Sequence, residues 1–578
     1  MSGPAHPPHQ PRRGWWGRRR AAIPADRAAG LATGADPGAT LARRLGPSAA
    51  VATGLLLSAA FPSLDLWPLV FVALVPLLLV VERRRPASAF RLGWVAGFVF
   101  FGIHARWVAM IGDERAAGAA AWLALCGLMA VSFGLFFALV AASRALLGGT
   151  ANGGAGRGAA LGAVRLALLG CAWAALELAR SHWPLGGFAW GLLGLSQHAG
   201  GPLLPLARVV GVYGLSAVIA AVNLAVAWAV AAVPAALRGA DRGAGWRRPA
   251  AWRPAAWLAV AALLPFLGLA SPPPPAPDGA PKRLVVVQGN VPFNRENRGR
   301  TNAAVFAEHV RLTEALAGGQ PPDLVVWAEG AADEDPTVDP TRAEAVARAA
   351  RAAGAPILLG ATTEAGGGFY HTEALLYGED GRLADRYVKR RLVPFGEYVP
   401  WADVVRKLIP ATGQLAYDKL PGDRLEPLLL DDTPFGTVVC YETAYPEDTR
   451  RLAAAGARFI VMLTNNASFG NGPIARQHLA TSQLRAVEEG RTVVHAAISG
   501  ISAVIGPDGS IRQSTGLYQQ AVVTTDVAPS SGLTPYARFG RLLEAAFAGA
   551  TVTLLLLVAG LGIRARPAPA AVVERAAL

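Results

Sequence analysis

The sequence predicts a membrane bundle of about eight transmembrane helices carrying one large α/β domain. Three observations lead there. The 578 residues are 53% hydrophobic but only 16% charged, against about 25% charged in an average soluble domain. Eight apolar runs punctuate the chain, at about 46–62, 64–81, 88–110, 117–143, 159–180, 206–235, 254–271 and 542–563. The formal charge of +14 is also unevenly divided. Residues 272–545 hold 27 Lys+Arg against 31 Asp+Glu, and the apolar remainder holds 27 against 9.

A nucleic-acid binder would set its arginines on a folded polar face among aromatics. Here they lie between apolar runs, so no nucleic-acid partner is expected. Three cysteines exclude a disulfide framework and a cysteine-rich zinc module. The arm 1–45 is rich in Pro, Gly and Arg. No apolar stretch follows its basic residues within about 30 positions, so it does not read as a cleavable signal and is expected to be disordered. Most of the apolar runs reach the roughly 17–25 residues a helix needs to cross the hydrocarbon. The first two are short and separated only by Phe61-Pro62-Ser63, which suggests a tight hairpin. Eight such runs would need a very large soluble shell if they were buried core helices.

Arginine asymmetry sets the orientation. The arm, segments 82–91, 144–165 and 236–253, and the tail after 563 hold 23 arginines, against 4 in the alternate loops (Arg106, Arg115, Arg180, Arg208). Both termini are therefore expected in the cytoplasm. Seven spans precede the acidic block, which places it on the outer face.

The run Ser271-Pro272-Pro273-Pro274-Pro275-Ala276-Pro277 reads as a polyproline spacer, with the linker at 272–280. From 281 to 540, short β-type runs alternate with amphipathic helices, the pattern of one α/β domain. Strands are expected at 283–288, 323–328, 356–360, 374–377, 436–440, 458–463, 492–497 and 502–505. Helices are expected from Thr301 and Thr341 as N-caps, and near Pro446 and Ile474. A final span at 541–563 and a cytoplasmic tail at 564–578 complete the chain.

The chemistry gathers at strand ends, where open α/β sheets place reactive groups. Leu324-Val325-Val326-Trp327-Ala328-Glu329 is an apolar strand closing on a carboxylate. Gly436-Thr437-Val438-Val439-Cys440-Tyr441-Glu442 closes on the only cysteine of this block. Between them lies Tyr387-Val388-Lys389-Arg390-Arg391-Leu392-Val393-Pro394-Phe395-Gly396-Glu397-Tyr398, with one of only four lysines in the protein. A Glu, a Lys and a Cys suggest covalent acyl transfer. A thiolate attacks, a carboxylate moves its proton, and an ammonium stabilises the oxyanion. Each also has a plain reading. Cys440 alone could be a small core hydrophobe, Glu329 and Lys389 could be solvated, and Glu397 and Glu442 could be structural ion-pair partners. Composition and spacing alone reach an outward α/β domain with a candidate cysteine site.

Together these residues resemble the nitrilase superfamily, with its Glu, Lys and Cys in that chain order. They resemble most its membrane-embedded branch, the apolipoprotein N-acyltransferases. Val287-Gln288-Gly289-Asn290 is similar to that family's first-strand motif. Tyr387-x-Lys389, with Leu392-Val393-Pro394-Phe395-Gly396-Glu397, is similar to its lysine segment, and Cys440-Tyr441-Glu442 to its nucleophile segment. Arg485-Ala486-Val487-Glu488 is similar to its following helix. Phe61-Pro62, Trp67-Pro68, Gly200-Gly201-Pro202 and Gly211-Val212-Tyr213-Gly214 are similar to its membrane segments. The likeness spans about 46–563.

The resemblance implies an α-β-β-α sandwich outside an eight-helix membrane domain in a bacterial inner membrane. It implies transfer of an acyl chain from a phospholipid to the α-amine of a diacylglyceryl-modified apolipoprotein, with no cofactor or metal. Carried over, Cys440 is the nucleophile, Glu329 the general base and Lys389 the oxyanion cation, with Glu397, Tyr441 and Glu442 in support. A monomer suffices. Alternatives are a membrane-anchored amidase hydrolysing a small C–N substrate, or a divergent paralogue with another acceptor. The sequence departs from the family pattern at Trp327-Ala328-Glu329 (family Trp-Pro-Glu) and at Arg391 (family His). It departs again at Asn465-Asn466-Ala467-Ser468-Phe469-Gly470 and at Ile498-Ser499-Gly500-Ile501. Both lipid substrates are anchored in a membrane, and extracting one costs about 0.8 kcal/mol per methylene, so a domain tethered above spans suits them. Lipid contacts are expected from Trp401 in the apolar, basic segment 398–417, read as a lid. They are also expected from Phe188 and Trp190 in loop 181–204, read as a groove floor, and from Ser468 and Phe469.

Overall fold

A computed structural model describes residues 1, 3, 37–62, 64–110, 115–144, 146, 155–241, 249–290, 298–332, 334–408 and 418–564. Most of the arm expected to be disordered, the tail beyond 564 and residues 409–417 of the expected lid lie outside them. Residues 1–45 and 46–578 form separate compact units, and the second contains the features that follow, apart from the first turns of the helix Pro37–Ala59.

Six helices among the described residues are long and apolar enough to cross a membrane: Pro86–His104, Ala116–Ala142, Gly158–His182, Leu204–Pro234, Trp252–Ala270 and Pro535–Gly560. The first two apolar runs form only shorter apolar helices, Leu45–Ala59 and Trp67–Val81. Eight spans were expected; length and hydropathy support six, plus this short pair. The second of the pair is broken into a 3-10 turn, Trp67–Phe71, and a helix, Val75–Val81, each with a proline in its first turn. Proline lacks the N–H that an unbroken helix needs. The break is satisfied from outside: Asn223 accepts from the Leu74 N–H at 2.9 Å and donates to the Val70 carbonyl at 2.8 Å.

With helices numbered from α1 (Pro37–Ala59) and α2 (Val75–Val81), the next are α3 (Pro86–His104), α4 (Arg115–Ala142), α5 (Ala155–His182), α6 (Ala207–Asp241) and α7 (Pro249–Leu263). Small residues let α3 and α4 approach closely. A Cβ at Gly93 would stand 2.7 Å from the Phe133 carbonyl, and one at Gly97 would stand 2.9 Å from Ala130 Cα. Helix α6 is kinked at Gly211, where φ is 65° and ψ is −179°.

The α/β part contains β1 (Lys282–Gln288), α8 (Arg298–Glu314), β2 (Leu324–Trp327), α9 (Pro340–Ala353), β3 (Ile357–Gly366), β4 (Phe369–Tyr377), β5 (Leu383–Val388), α10 (Ala402–Leu408), β6 (Asp418–Lys419), β7 (Leu428–Leu430), β8 (Thr433–Val439), α11 (Pro446–Ala454), β9 (Ile460–Thr464), α12 (Ile474–Glu489), β10 (Val493–Ala497), β11 (Ala503–Ile505), β12 (Ile511–Ser514) and β13 (Ala521–Val527). The last span is α13 (Pro535–Arg564). One sheet runs β13-β1-β2-β3-β4-β5, with β6 on β4; the other runs β12-β11-β10-β9-β8-β7.

Period-two side-chain alternation builds the layers. Leu284, Val286, Leu324 and Val326 face Val438, Val461, Leu463 and Val494 of the other sheet. The intervening Val285, Val287, Val325 and Trp327 face Phe306 of α8 and Val346 of α9. Helices α11 and α12 cover the second sheet, giving the expected α-β-β-α order.

Helix α12 lies between that sheet and the membrane helices, and all its residues but Arg476 are buried. Its Ile474, Leu484 and Val487, with Tyr441 and Tyr445, belong to the same apolar core as the bundle. The α/β part is therefore seated on the bundle. The proline run is a fastened strap rather than a free spacer. Arg208 donates to Pro272 O at 3.1 Å, Ser530 donates to Ala276 O at 3.1 Å, and Asp278 N–H donates to Pro529 O at 3.1 Å.

Two expected caps move. Helix α9 is capped by Asp339, whose carboxylate accepts from the Thr341 N–H at 2.7 Å, and Pro340 takes the first helical position, where its missing N–H is not needed. Thr301 lies inside α8, not at its start. Strand β5 and strands β6, β7, β12 and β13 were not expected.

Candidate active site

Glu329, Lys389 and Cys440 follow the ends of β2, β5 and β8, so two sheets deliver the three candidate side chains to one edge. Trp327 anchors the first. It is fully buried, and its indole N–H donates to Thr313 Oγ1 at 2.9 Å. The chain then turns at Gly330, with φ of 72°, and the Ala331 N–H bonds to Ala328 O at 3.2 Å. Ala328, where the family has proline, is buried against Val305 and Ile498. Gly360 of β3 makes room for this turn, since a Cβ there would stand 2.5 Å from Glu329 Cα.

Lys389 is 1% exposed. Its Nζ donates to Glu329 Oε1 at 3.1 Å and meets Glu397 at 3.0 Å. Burial alone would lower its pKa; the carboxylates of Glu329 and Glu397 outweigh that and hold it well above the usual value. Lys389 therefore stays a cation. Burial would raise Glu397, but Lys389 and Lys419 hold it down at about 2. Glu397 also accepts from the Val393 N–H at 2.9 Å and from Thr372 Oγ1 at 3.1 Å. Ionised and saturated with donors, it is the lysine's fixed counter-charge.

Cys440 has a φ of 52°, a left-handed conformation rare for side chains other than Gly, Asn or Asp. Burial and then the negative charge of Glu329 push its thiol pKa up, against the opposing pull of Lys389 and an N–H from Asn465. The resting thiol is protonated and needs a base. Glu442 braces the turn. It accepts from the Val439 N–H at 2.8 Å, the Arg390 N–H at 2.6 Å and the Tyr387 hydroxyl at 2.9 Å, which ties the Cys440 strand to the lysine segment. Burial and Asp448 push its pKa up to about 7. Arg391 pairs with Asp448 and Glu447. Tyr441 OH donates to Gly187 O, 3.0 Å away in the loop after α5.

That loop brings Phe188 and Trp190 to the same side. Trp107 packs edge-on against Trp190 at 5.6 Å and Phe469 at 5.4 Å, and Phe188 lies 6.2 Å from it. Phe188 and Trp190 are buried, at 7% and 3% exposure, so they pack as a core rather than as an open groove floor. Trp401, by contrast, is 70% exposed. The side chain of Ser468 lies outside the described set.

Sequence reasoning missed several partners. Lys419 reaches Thr372 Oγ1 at 2.6 Å and Glu397 at 3.4 Å. Gln288 collects loops, accepting from Ser502 Oγ and Thr515 Oγ1 and donating to Gly516 O and Gln519 O. Trp107, Arg180, Gln477 and His478 were also missed. Only the scarcity of lysine hinted at Lys419; Gln288, Arg180, Gln477 and His478 sit within regular elements, but their partners lie in other segments of the chain, which no local pattern shows.

The family model for the apolipoprotein N-acyltransferase N-terminal domain matches residues 53–225, and that for carbon-nitrogen hydrolase matches 294–536. Proteins named apolipoprotein N-acyltransferase match across nearly the whole chain. That of Geobacter metallireducens is 32% identical over 89% of this chain and 95% of its own. That of Azotobacter vinelandii is 34% identical over 91% and 97%, and that of Mycolicibacterium smegmatis is 30% identical over 88% and 84%. A crystal structure of an amidase from Nesterenkonia sp. aligns with a TM-score of 0.31 at 19% identity, over 44% of this chain and 93% of that one, and nothing further rests on it. With two matching domain models in order and full-length relatives above 30% identity, the chain belongs to the apolipoprotein N-acyltransferase family.

Proposed function

We propose that this enzyme transfers an acyl chain from a membrane phospholipid to the α-amine of the diacylglyceryl-modified N-terminal cysteine of an apolipoprotein, through a thioester on Cys440. The observation that carries the reading is a buried lysine held between two carboxylates, Glu329 and Glu397, beside a cysteine on a left-handed turn. Its seat on apolar helices suits substrates that stay in the bilayer.

Glu329 takes the Cys440 proton as sulfur attacks the donor's ester carbonyl. Lys389 faces the oxyanion with a charge already in place, so little reorganisation is needed. Collapse breaks the C–O bond; Glu329 returns the proton to the leaving oxygen, and lysophospholipid departs. The acceptor amine then attacks the thioester, gives its proton to Glu329 and expels the Cys440 thiolate, which is reprotonated. Membership of the family suits a bacterial inner-membrane location, and the arginine asymmetry supports termini in the cytoplasm with the Cys440 domain outside. One chain supplies all three groups, so a monomer suffices.

Mass spectrometry of the purified protein mixed with phospholipid tests this. An acyl adduct on Cys440, and loss of N-acylated lipoprotein in Cys440→Ala, are expected. No adduct, with acylation surviving in Cys440→Ala, would overturn it.

A further inference from the structure

We infer that His478 is a positioning residue for the nucleophile: its Nε2–H grips the Cys440 carbonyl and locks the turn that aims the thiol, while Trp190 and Gln477 fix the helix that carries it. The inference rests on Cys440 being the nucleophile.

The carbonyl of Cys440 lies 2.8 Å from His478 Nε2. A carbonyl oxygen only accepts, so Nε2 bears the hydrogen, and in the neutral ring Nδ1 is then an acceptor. Nδ1 faces the side-chain amide of Asn466 at 3.3–3.5 Å, an amide whose NH2 then points at the ring. Burial pushes the His478 pKa down to about 4, so the ring is neutral near pH 7 and its one N–H is committed to Cys440. This leaves His478 no proton to shuttle, and its role is geometric.

The turn needs such a hold. Cys440 has positive φ without being glycine, a state that persists only where surrounding contacts over-determine it. From below, Glu442 fixes the preceding Val439 N–H; from above, His478 fixes the carbonyl. The imidazole is itself wedged edge-on between Trp190 at 5.6 Å and His495 at 5.4 Å. Next to it, Gln477 accepts from the Trp190 indole N–H at 2.8 Å and donates to Pro62 O at 3.3 Å and His104 O at 3.1 Å. Three outer segments of the membrane part thus converge on positions 477 and 478, one hydrogen bond from the reactive cysteine.

The test compares His478→Gln, whose amide reaches the Nε2 position, with His478→Asn, whose shorter amide does not, and with His478→Ala, in the full-length protein in detergent. Rates of Cys440 alkylation by iodoacetamide and of acyl-adduct formation from phospholipid are read by mass spectrometry, with thermal midpoints alongside. His478→Asn and His478→Ala are expected to slow both rates about tenfold or more, the effect of orphaning one buried hydrogen-bonding group. His478→Gln is expected to recover most of the loss, and KM for phospholipid to stay unchanged. Wild-type rates in His478→Asn, or rates in His478→Gln as low as in His478→Asn, would overturn the inference; this comparison holds even if His478→Ala fails to fold. Acylation surviving in Cys440→Ala would instead remove the nucleophile itself, a result separable from either of these.

Discussion

Lys389 has no solvent to share its charge with, so its two carboxylates set its state. Glu397 is held as a carboxylate, because its backbone and hydroxyl donors leave it little reason to take a proton. Its folded pKa of about 2 lies below the usual 4.5. A depressed carboxylate contributes stability that is present above the unfolded value and lost as pH falls through the folded one. The difference in thermal midpoint between the wild type and Glu397→Gln should therefore be constant near neutrality and shrink as pH drops from about 4.5 towards 2; a constant difference across that window would show that the charge is not what stabilises. Gly360 offers a second test. A methyl there would meet Glu329 Cα at 2.5 Å, and backbone cannot yield as a flexible side chain does. Gly360→Ala should displace the carboxylate and lower acyl-adduct formation about 100-fold. Unaltered rates would mean that Glu329 tolerates the shift.

Helix α12 is the element that joins the two halves, and its hydrophobic face alone does not explain how. Its Glu488 reaches across to the Val212 N–H at 2.6 Å. That donor is free because α6 breaks at Gly211, where a helical hydrogen bond is lost. Glu488 also lies 2.9 Å from Arg485, and both are fully buried. Replacing Glu488 by Ala would orphan the Val212 N–H and leave Arg485 buried without its partner, at a cost of about 3–5 kcal/mol. Thermal unfolding in detergent checks it, and a shift within error of zero would show that the pair is dispensable. Gly211 is equally constrained. Its φ is positive, and a Cβ would fall 2.3 Å from the Tyr536 ring of α13. Gly211→Ala should destabilise by roughly 1–3 kcal/mol and loosen the last span, visible as faster proteolysis around Tyr536.

At the scale of the molecule, the bundle and the α/β part share one apolar core. Tyr441, Ala444, Tyr445, Ile474, Leu484 and Val487 pack with residues of the spans. A fragment holding residues 281–534 alone would expose that surface, and large exposed apolar patches drive association. It should elute as aggregate without detergent in size-exclusion chromatography, whereas the full chain in detergent should give a discrete peak. A monodisperse fragment would show that the domain folds independently of its seat.

The sequence by itself determined the division into apolar spans and an α/β block, because hydropathy and charge are written in runs long enough to read. It also marked Glu329 and Cys440, since each closes an apolar run, and Lys389, one of only four lysines, in the segment between them. Eight strands were legible in place, although β3 runs on to Gly366 from an expected end at 360 and β4 begins at Phe369, ahead of an expected 374. The largely open β5, β12 and β13, the three-residue β7 and the two-residue β6 were not, because strands that short or that open bury too little to leave a pattern. Tertiary structure alone decided the rest. It supplied Asn223 to satisfy the break that two prolines put in the second run, and it made the proline run a strap. It buried Phe188 and Trp190 rather than opening them, and it brought Lys419, Thr372 and His478 to the site from segments far apart in the chain. The physical reason is the same throughout. A buried polar group must find a partner wherever the fold places one, and no local window of sequence contains that partner.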